Sequence, residues 1–298
     1  MNNFNDLGNL KTLEKILRQY FKMIFFLTLS GLCLGVIYSI SLPNVYQSSS
    51  LLSPAEDSSR SSFGGLSGSL GGLASIAGVS MNAGDTRTQK GIKILQSYKF
   101  FRLFAEDPNV LPILLAAYGW DPVNNKFLFN EDNFDPETST WKDGFVPSYQ
   151  LAFKAFNELF FVYQDEKTGF INIYIKSFSP ILSKEWLERI IFLINEEVRK
   201  DEVNQAKRSI EYLNIQISKT SYTEIKEALS DLIQSQIKIV MLAESSQEFI
   251  FDVIDPPFIP EFKKEPFRAL IVLISGIFSL LISMIIALFR FLIKKDFS

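Results

Sequence analysis

The chain has 298 residues, with 30 Lys+Arg against 33 Asp+Glu, and its net charge of −3 supplies no basic field for nucleic acid. It contains no histidine and a single cysteine, Cys33. Ser-His-Asp and Cys-His catalysis, HExxH proteases, His- or Cys-built zinc centres and intrachain disulfides are thereby excluded.

Two runs are uncharged: Met23–Leu42, of 20 residues, and Ala269–Phe289, of 21. As helices each is about 30 Å long, the thickness of a bilayer's hydrocarbon core. A signal peptide would carry an apolar core of about 7–15 residues and small residues at its cleavage site. Residues 23–42 are too long for that, and Ser39-Ile40-Ser41 is a poor site. Bulky Leu32 before Cys33 also argues against a lipoprotein, so both runs read as retained transmembrane helices. Residues 1–22 carry Lys11, Lys15, Arg18 and Lys22 against Asp6 and Glu14, and residues 290–298 carry Arg290, Lys294 and Lys295 against Asp296. The positive-inside rule then puts both termini in the cytoplasm and residues 43–268 outside it. Lys263, Lys264 and Arg268 fall on the opposite side from that bias, which a long translocated domain tolerates.

Within residues 43–268, Val45–Leu52 reads as a strand. Ser58–Gly84 is rich in Gly, Ser and Ala but has no lysine placed to reach a phosphate, so it is not a P-loop. It reads as a flexible loop leading into a helix of small residues. Thr86–Phe104 has helical spacing through Ile92, Leu95, Phe100 and Leu103. Asp107–Pro147 reads as irregular, and Asn130–Glu137 as a solvated acidic loop, because it lacks the alternating ligands and central glycine of an EF-hand. Ser148–Leu159 is a short helix, and Phe160–Gln164 with Phe170–Lys176 form a hairpin turned at Gly169.

Ser179-Pro180 supplies an N-cap followed by proline at the first helical position. No Gly or Pro interrupts residues 181–255, which predicts a helix over about 180–218, roughly 58 Å long. Val203, Ala206, Ile210, Leu213 and Ile217 repeat at 3-4-3-4, a coiled-coil-like seam. Ser221-x-x-Glu224 is a capping-box pattern for a second helix over about 222–245, with a turn at 218–221. Phe249–Ile254 reads as a returning strand. The first and last strands are each tied to a span, so they are expected to share a sheet near the membrane while the long helix projects away. The expected fold class is α+β: two transmembrane helices flank one extracytoplasmic domain with an α/β base and a helical stalk.

Two further patterns concern the membrane. Gly31 and Gly35 form a GxxxG pair on the first span, and Ser275, Ser279, Ser283 and Ala287 form a ridge of small residues on the second, as helix packing in lipid favours. Pro256, Pro257, Pro260 and Pro266 make residues 255–266 a stiff extended lead into the second span.

In this order the pieces resemble the Wzz-type polysaccharide co-polymerases, the chain length determinants of bacterial surface polysaccharide synthesis. The resemblance runs from the basic arm and first span through Val45–Leu52, Gly71–Gly78 and Lys93–Phe100, although Tyr98-Lys99 stands where the family often has Ser-Arg. It continues through Asp165–Gly169, Ser179-Pro180 and the Pro-rich lead. The resemblance implies a non-enzymatic inner-membrane protein with a periplasmic domain and no cofactor or metal. Its implied partners are further copies of itself in a ring, a membrane glycan polymerase and lipid-linked glycan, and it would set glycan length, O-antigen first. The nine residues after the second span leave no room for the kinase of the sister class, which would have to be a separate chain in a capsule or exopolysaccharide system. Two other readings stay open at this point, a membrane-anchored periplasmic sensor or ligand-binding module and a two-carboxylate glycosidase.

Overall fold

A computed structural model describes residues 10–55, 83–246 and 248–296. The chain divides into two compact units, Met1–Val45 with Lys263–Ser298, and Tyr46–Phe262. The Gly/Ser-rich loop and the small-residue helix expected after it lie, up to residue 82, outside the described residues, and so does Gly71–Gly78.

In the first unit, α1 (Leu10–Ser41) lies along α8 (Arg268–Asp296). Helix α1 begins well before the apolar run because no Gly or Pro follows Gly8 until Gly31. Pro43 forbids its continuation. Arg18–Ser41 and Arg268–Phe291 are long and apolar enough to cross a membrane. Where the two helices end and begin, the Val45 N–H donates to the Glu265 carbonyl (2.9 Å) and the Lys264 N–H to that of Val45 (2.7 Å).

The second unit is built on a four-stranded, wholly antiparallel sheet. Its members are β1 (Tyr46–Pro54), β6 (Phe160–Gln164), β7 (Ile171–Ser177) and β8 (Phe251–Asp255), in the order β6-β7-β1-β8. The first and last strands of the domain are therefore neighbours. Strict alternation on β7 buries Ile171, Ile173 and Ile175, while Asn172, Tyr174 and Lys176 stay half-exposed on the other face. The turn between β6 and β7 needs a left-handed residue, and Gly169 supplies it at φ +74°.

Helix α6 (Pro180–Lys219) packs across β1 and β7 with Leu187, Ile190, Ile194 and Val198. Its cap forms as the sequence predicts, with Ser179 accepting from the Leu182 N–H and Pro180 in the first turn. A run of aromatic rings completes this core, where Phe156 touches Phe101, Phe104 and Phe160, and Phe104 meets Trp186. Helix α5 (Tyr149–Leu159), capped by Ser148, brings Phe156 to it.

Three expectations need correcting. Thr86–Phe104 is not one helix but α2 (Ala83–Leu95) and α3 (Tyr98–Phe104). Ser97 breaks it, because its hydroxyl accepts the Phe100 N–H and starts a new helix. Residues 107–147 are not irregular: they form α4 (Val110–Ala116) and two small ribbons, β2 (Ala117–Asp121) with β3 (Lys126–Phe129), and β4 (Phe134–Asp135) with β5 (Thr140–Trp141). Aromatic contacts from Phe127 through Phe129, Phe134 and Trp141 to Phe145 tie the ribbons together, which polar composition concealed. Their turns are held by Asx interactions. The Asp121 carboxylate is kept below the usual carboxylate range by the Asn124 side-chain amide and then the Val123 N–H. Finally, the capping box at Ser221 does not form. Helix α7 (Thr223–Ser245) starts after Tyr222, and no side chain caps it.

Candidate functional site

Helix α7 packs along α6. Ala206 is buried and Val203, Ile210, Leu213 and Ile217 are half-buried, whereas Glu211, Tyr212 and Ile215 are exposed. The packing is incomplete. A crevice of about 520 Å³ opens beside Leu213 and Leu232, bordered by Arg208, Tyr212 and Gln236. The hairpin also leaves Ile225, Leu232, Ile237 and Met241 exposed. Ile210→Asp is expected to lower the stability of the protein by roughly 2–3 kcal/mol, since it puts a charge into a half-buried apolar seam. Glu211→Ala should change it by less than about 0.5 kcal/mol. Thermal unfolding of the two variants side by side measures the difference, and equal curves would mean the seam is not a packing surface.

At the inner end of the hairpin α6 is fixed by polar contacts. Asn195, buried among Ile190, Ile191, Ile194 and Val198, accepts the N–H groups of Phe249, Ile250 and Phe251 on Oδ1 at 2.9, 2.8 and 3.1 Å. Its Nδ2 donates to the carbonyls of Ile191 and Phe251, both at 3.2 Å. Arg199 donates to the Ser246 carbonyl at 3.0 Å. The chain leaving α7 is thus turned into β8 by side chains of α6. Opposite them, Arg87 pairs with Glu202 and Lys99 with Glu197, and the Glu197 hydrogen bond raises the Lys99 pKa.

The Pro-rich lead is laid against β1. Ser48 donates to the Phe258 carbonyl (2.8 Å) and Ser50 to that of Asp255 (2.5 Å). Both serines are buried on the same side of β1 as Leu52. A segment rich in proline has few N–H groups to offer a ladder, so hydroxyl-to-carbonyl bonds are the way a strand can still hold it. Pro257 and Pro260 are buried, Pro256 is exposed, and Pro266, in the first unit, is half-buried. Sequence reading passed over Ser48 and Ser50; the signal available was their period-two spacing with Leu52.

Between the spans the small residues meet. A Cβ on Gly31 would collide with Ser279 and one on Gly35 with Ser275, while one on Gly276 would lie 2.8 Å from Leu32 Cδ2. Ser283 and Ala287 are fully buried, and Ser279 Oγ reaches the Thr28 carbonyl at 3.4 Å. Ser39, four residues beyond Gly35 on the same stripe, is also buried and was missed. Counting on by four from Gly31 and Gly35 would have found it.

The arrangement defines a class: an α+β protein in which a four-stranded sheet and a long helical hairpin fall, in sequence, between two apolar helices near the termini suited to a two-pass membrane protein. Residues 7–107 match the family described as "Wzz: Chain length determinant protein", so the resemblance to that family is shown on this segment. A structure described as a full-length bacterial polysaccharide co-polymerase is 12% identical, covering 94% of this chain and 96% of that one at a TM-score of 0.39. A fragment of WzzB, polysaccharide co-polymerase from Salmonella Typhimurium, is 9% identical, covering 74% of this chain and 100% of the fragment at a TM-score of 0.32. Comparison with curated proteins gives no match.

Proposed function

We propose that this chain is a non-enzymatic regulator of the length of a bacterial surface polysaccharide, with the O-antigen of lipopolysaccharide the first candidate. The match of residues 7–107 to the chain length determinant family carries the reading. In it the chain is an inner-membrane co-polymerase: residues 1–22 and 290–298 are cytoplasmic, 23–42 and 269–289 span the bilayer, and 43–268 are periplasmic. Copies of the chain assemble into a ring and act with a membrane polymerase on lipid-linked glycan. The apolar side chains left open on the hairpin, Ile225, Leu232, Ile237 and Met241, are a surface that a neighbouring copy would cover.

A deletion strain is expected to make surface polysaccharide of unchanged sugar composition but altered length distribution on a gel. Unchanged banding of every surface glycan would refute the proposal, and a change confined to capsule or exopolysaccharide would replace the O-antigen assignment. Orientation has its own test. In a Cys33→Ser background, Ser221→Cys should react with a membrane-impermeant thiol reagent in cells whose outer barrier alone is permeabilised, and Asn5→Cys should not. Labelling at residue 5 would reverse the topology.

A further inference from the structure

Between α1 and α8, at the end where the spans connect to residues 46–262, lies an open crevice of about 490 Å³. Its walls are apolar, formed by Leu32, Val36, Val272 and Leu273, and its polar groups are Ser39 and Arg268. Ser39 is 2% exposed, and its hydroxyl has no hydrogen-bond partner among the described residues. The Arg268 Nε is also buried without a partner, although one Nη donates to Asn44 Oδ1 at 3.1 Å. Lys263 reaches the same Asn44 oxygen at 3.4 Å. The run 261–268 carries Lys263, Lys264 and Arg268 against Glu261 and Glu265, one positive charge in excess. The positive end of α8 opens at the same place.

We propose that this crevice is a binding site for an anionic phospholipid of the surrounding leaflet, with one acyl chain against the apolar walls and the phosphate on Arg268. The physical case is complementarity of two kinds. The Arg268 Nε and the Ser39 hydroxyl, buried without partners, are costly in an apolar setting, and phosphate oxygens would supply the acceptors both lack. The wall beneath them is of no use to a free anion but suits a hydrocarbon chain. Lys263 and Lys264 add charge at the depth where headgroups lie. The site belongs to the paired spans and does not depend on which glycan, if any, the protein controls.

The test uses the detergent-purified full-length protein and native mass spectrometry with phosphatidylglycerol as the probe. Wild type is expected to retain the lipid, Arg268→Gln and Val272→Trp to weaken retention at least tenfold, and Arg268→Lys to lie between. Diacylglycerol, which lacks the phosphate, should bind at least tenfold more weakly, and inorganic phosphate should not displace the bound lipid. Thermal unfolding of each variant within a few degrees of wild type shows that the spans remain packed. Should Arg268→Gln unfold early, Val272→Trp, which leaves every polar group in place, decides alone. Retention unchanged in the folded variants, or equal binding of diacylglycerol, overturns the proposal. So does displacement by phosphate, which would assign the site to a free anion, and so does tighter binding of a polyprenyl phosphate, which would assign it to a carrier lipid.

Discussion

Replacing Asn195 with leucine is expected to be the most damaging single change in the domain formed by residues 46–262. Leucine has a similar volume and would sit without a cavity among Ile190, Ile191, Ile194 and Val198, so the loss isolates the polar contacts. Three N–H groups, on Phe249, Ile250 and Phe251, lose the oxygen they share, and the Phe251 carbonyl loses a donor. Phe249, Ile250 and Phe251 are all buried, which keeps water from replacing the amide. An unsatisfied buried donor costs about 1–3 kcal/mol, and the three cannot all find new partners without moving β8 off β1. A total of about 3–5 kcal/mol is expected, which for a domain of this size lowers the unfolding midpoint by roughly 10 °C. Asn204→Leu, on an exposed position of the same helix, should stay within about 0.5 kcal/mol of wild type. Thermal unfolding of the solubilised full-length protein compares the two. A midpoint for Asn195→Leu no lower than that of Asn204→Leu would show that the turn into β8 is held by its apolar side chains alone.

Asn195 also marks where sequence reasoning stops. Its neighbours declare a buried helical stripe, and an asparagine inside that stripe signals that something polar is nearby. Which backbone it serves, 54 to 56 residues away, depends on the closure of the α6–α7 hairpin. What was legible was local. Ser179-Pro180 writes its own cap, Gly169 its own turn, and β7 its own buried face, because each is decided within a few residues. The pairing of β1 with β8 was also legible, though by a different route: each is the strand nearest in sequence to one of the two apolar helices. The ribbons of residues 117–141 were not, since each strand is only two to five residues long and is held by ring contacts rather than by a periodic apolar face. The failed capping box at Ser221 follows from the same limit. The pattern names residues able to cap a helix, but α6 runs to Lys219 and leaves Thr220–Tyr222 as the whole connection. In the candidate site, Gly31, Gly35 and the Ser275–Ala287 ridge could be read from spacing, whereas Ser48 and Ser50 looked like ordinary strand serines until the Pro-rich segment lay over them.

The contact between the two spans gives the other large effect. Opposite Gly31 the backbones are so close that even a single added carbon would meet Ser279, and Ser283 has no exposed surface at all. Changing Ser279 and Ser283 together to leucine adds bulk where no space exists, so α1 and α8 must separate or rotate. Lipid gives apolar helices no hydrophobic reason to stay together, and the replaced hydroxyls contribute little, so close packing is the term lost. Leucine keeps the segment apolar, and insertion should be unaffected. In a Cys33→Ser background, cysteines in place of Leu32 and Gly276 are expected to form a disulfide in the parent protein and to do so much less in the double-leucine variant. Ser279→Ala with Ser283→Ala keeps the surface small and should behave as the parent, which separates size from hydrogen bonding. On the proposed function, the double-leucine protein reaches normal membrane levels while the glycan length distribution moves towards that of the deletion strain. Wild-type banding from a variant whose disulfide is lost would mean that span packing plays no part in length control. A disulfide that still forms at the parental yield would mean that the helices accommodate the bulk, and the close approach at Gly31 would then not be needed to hold them together.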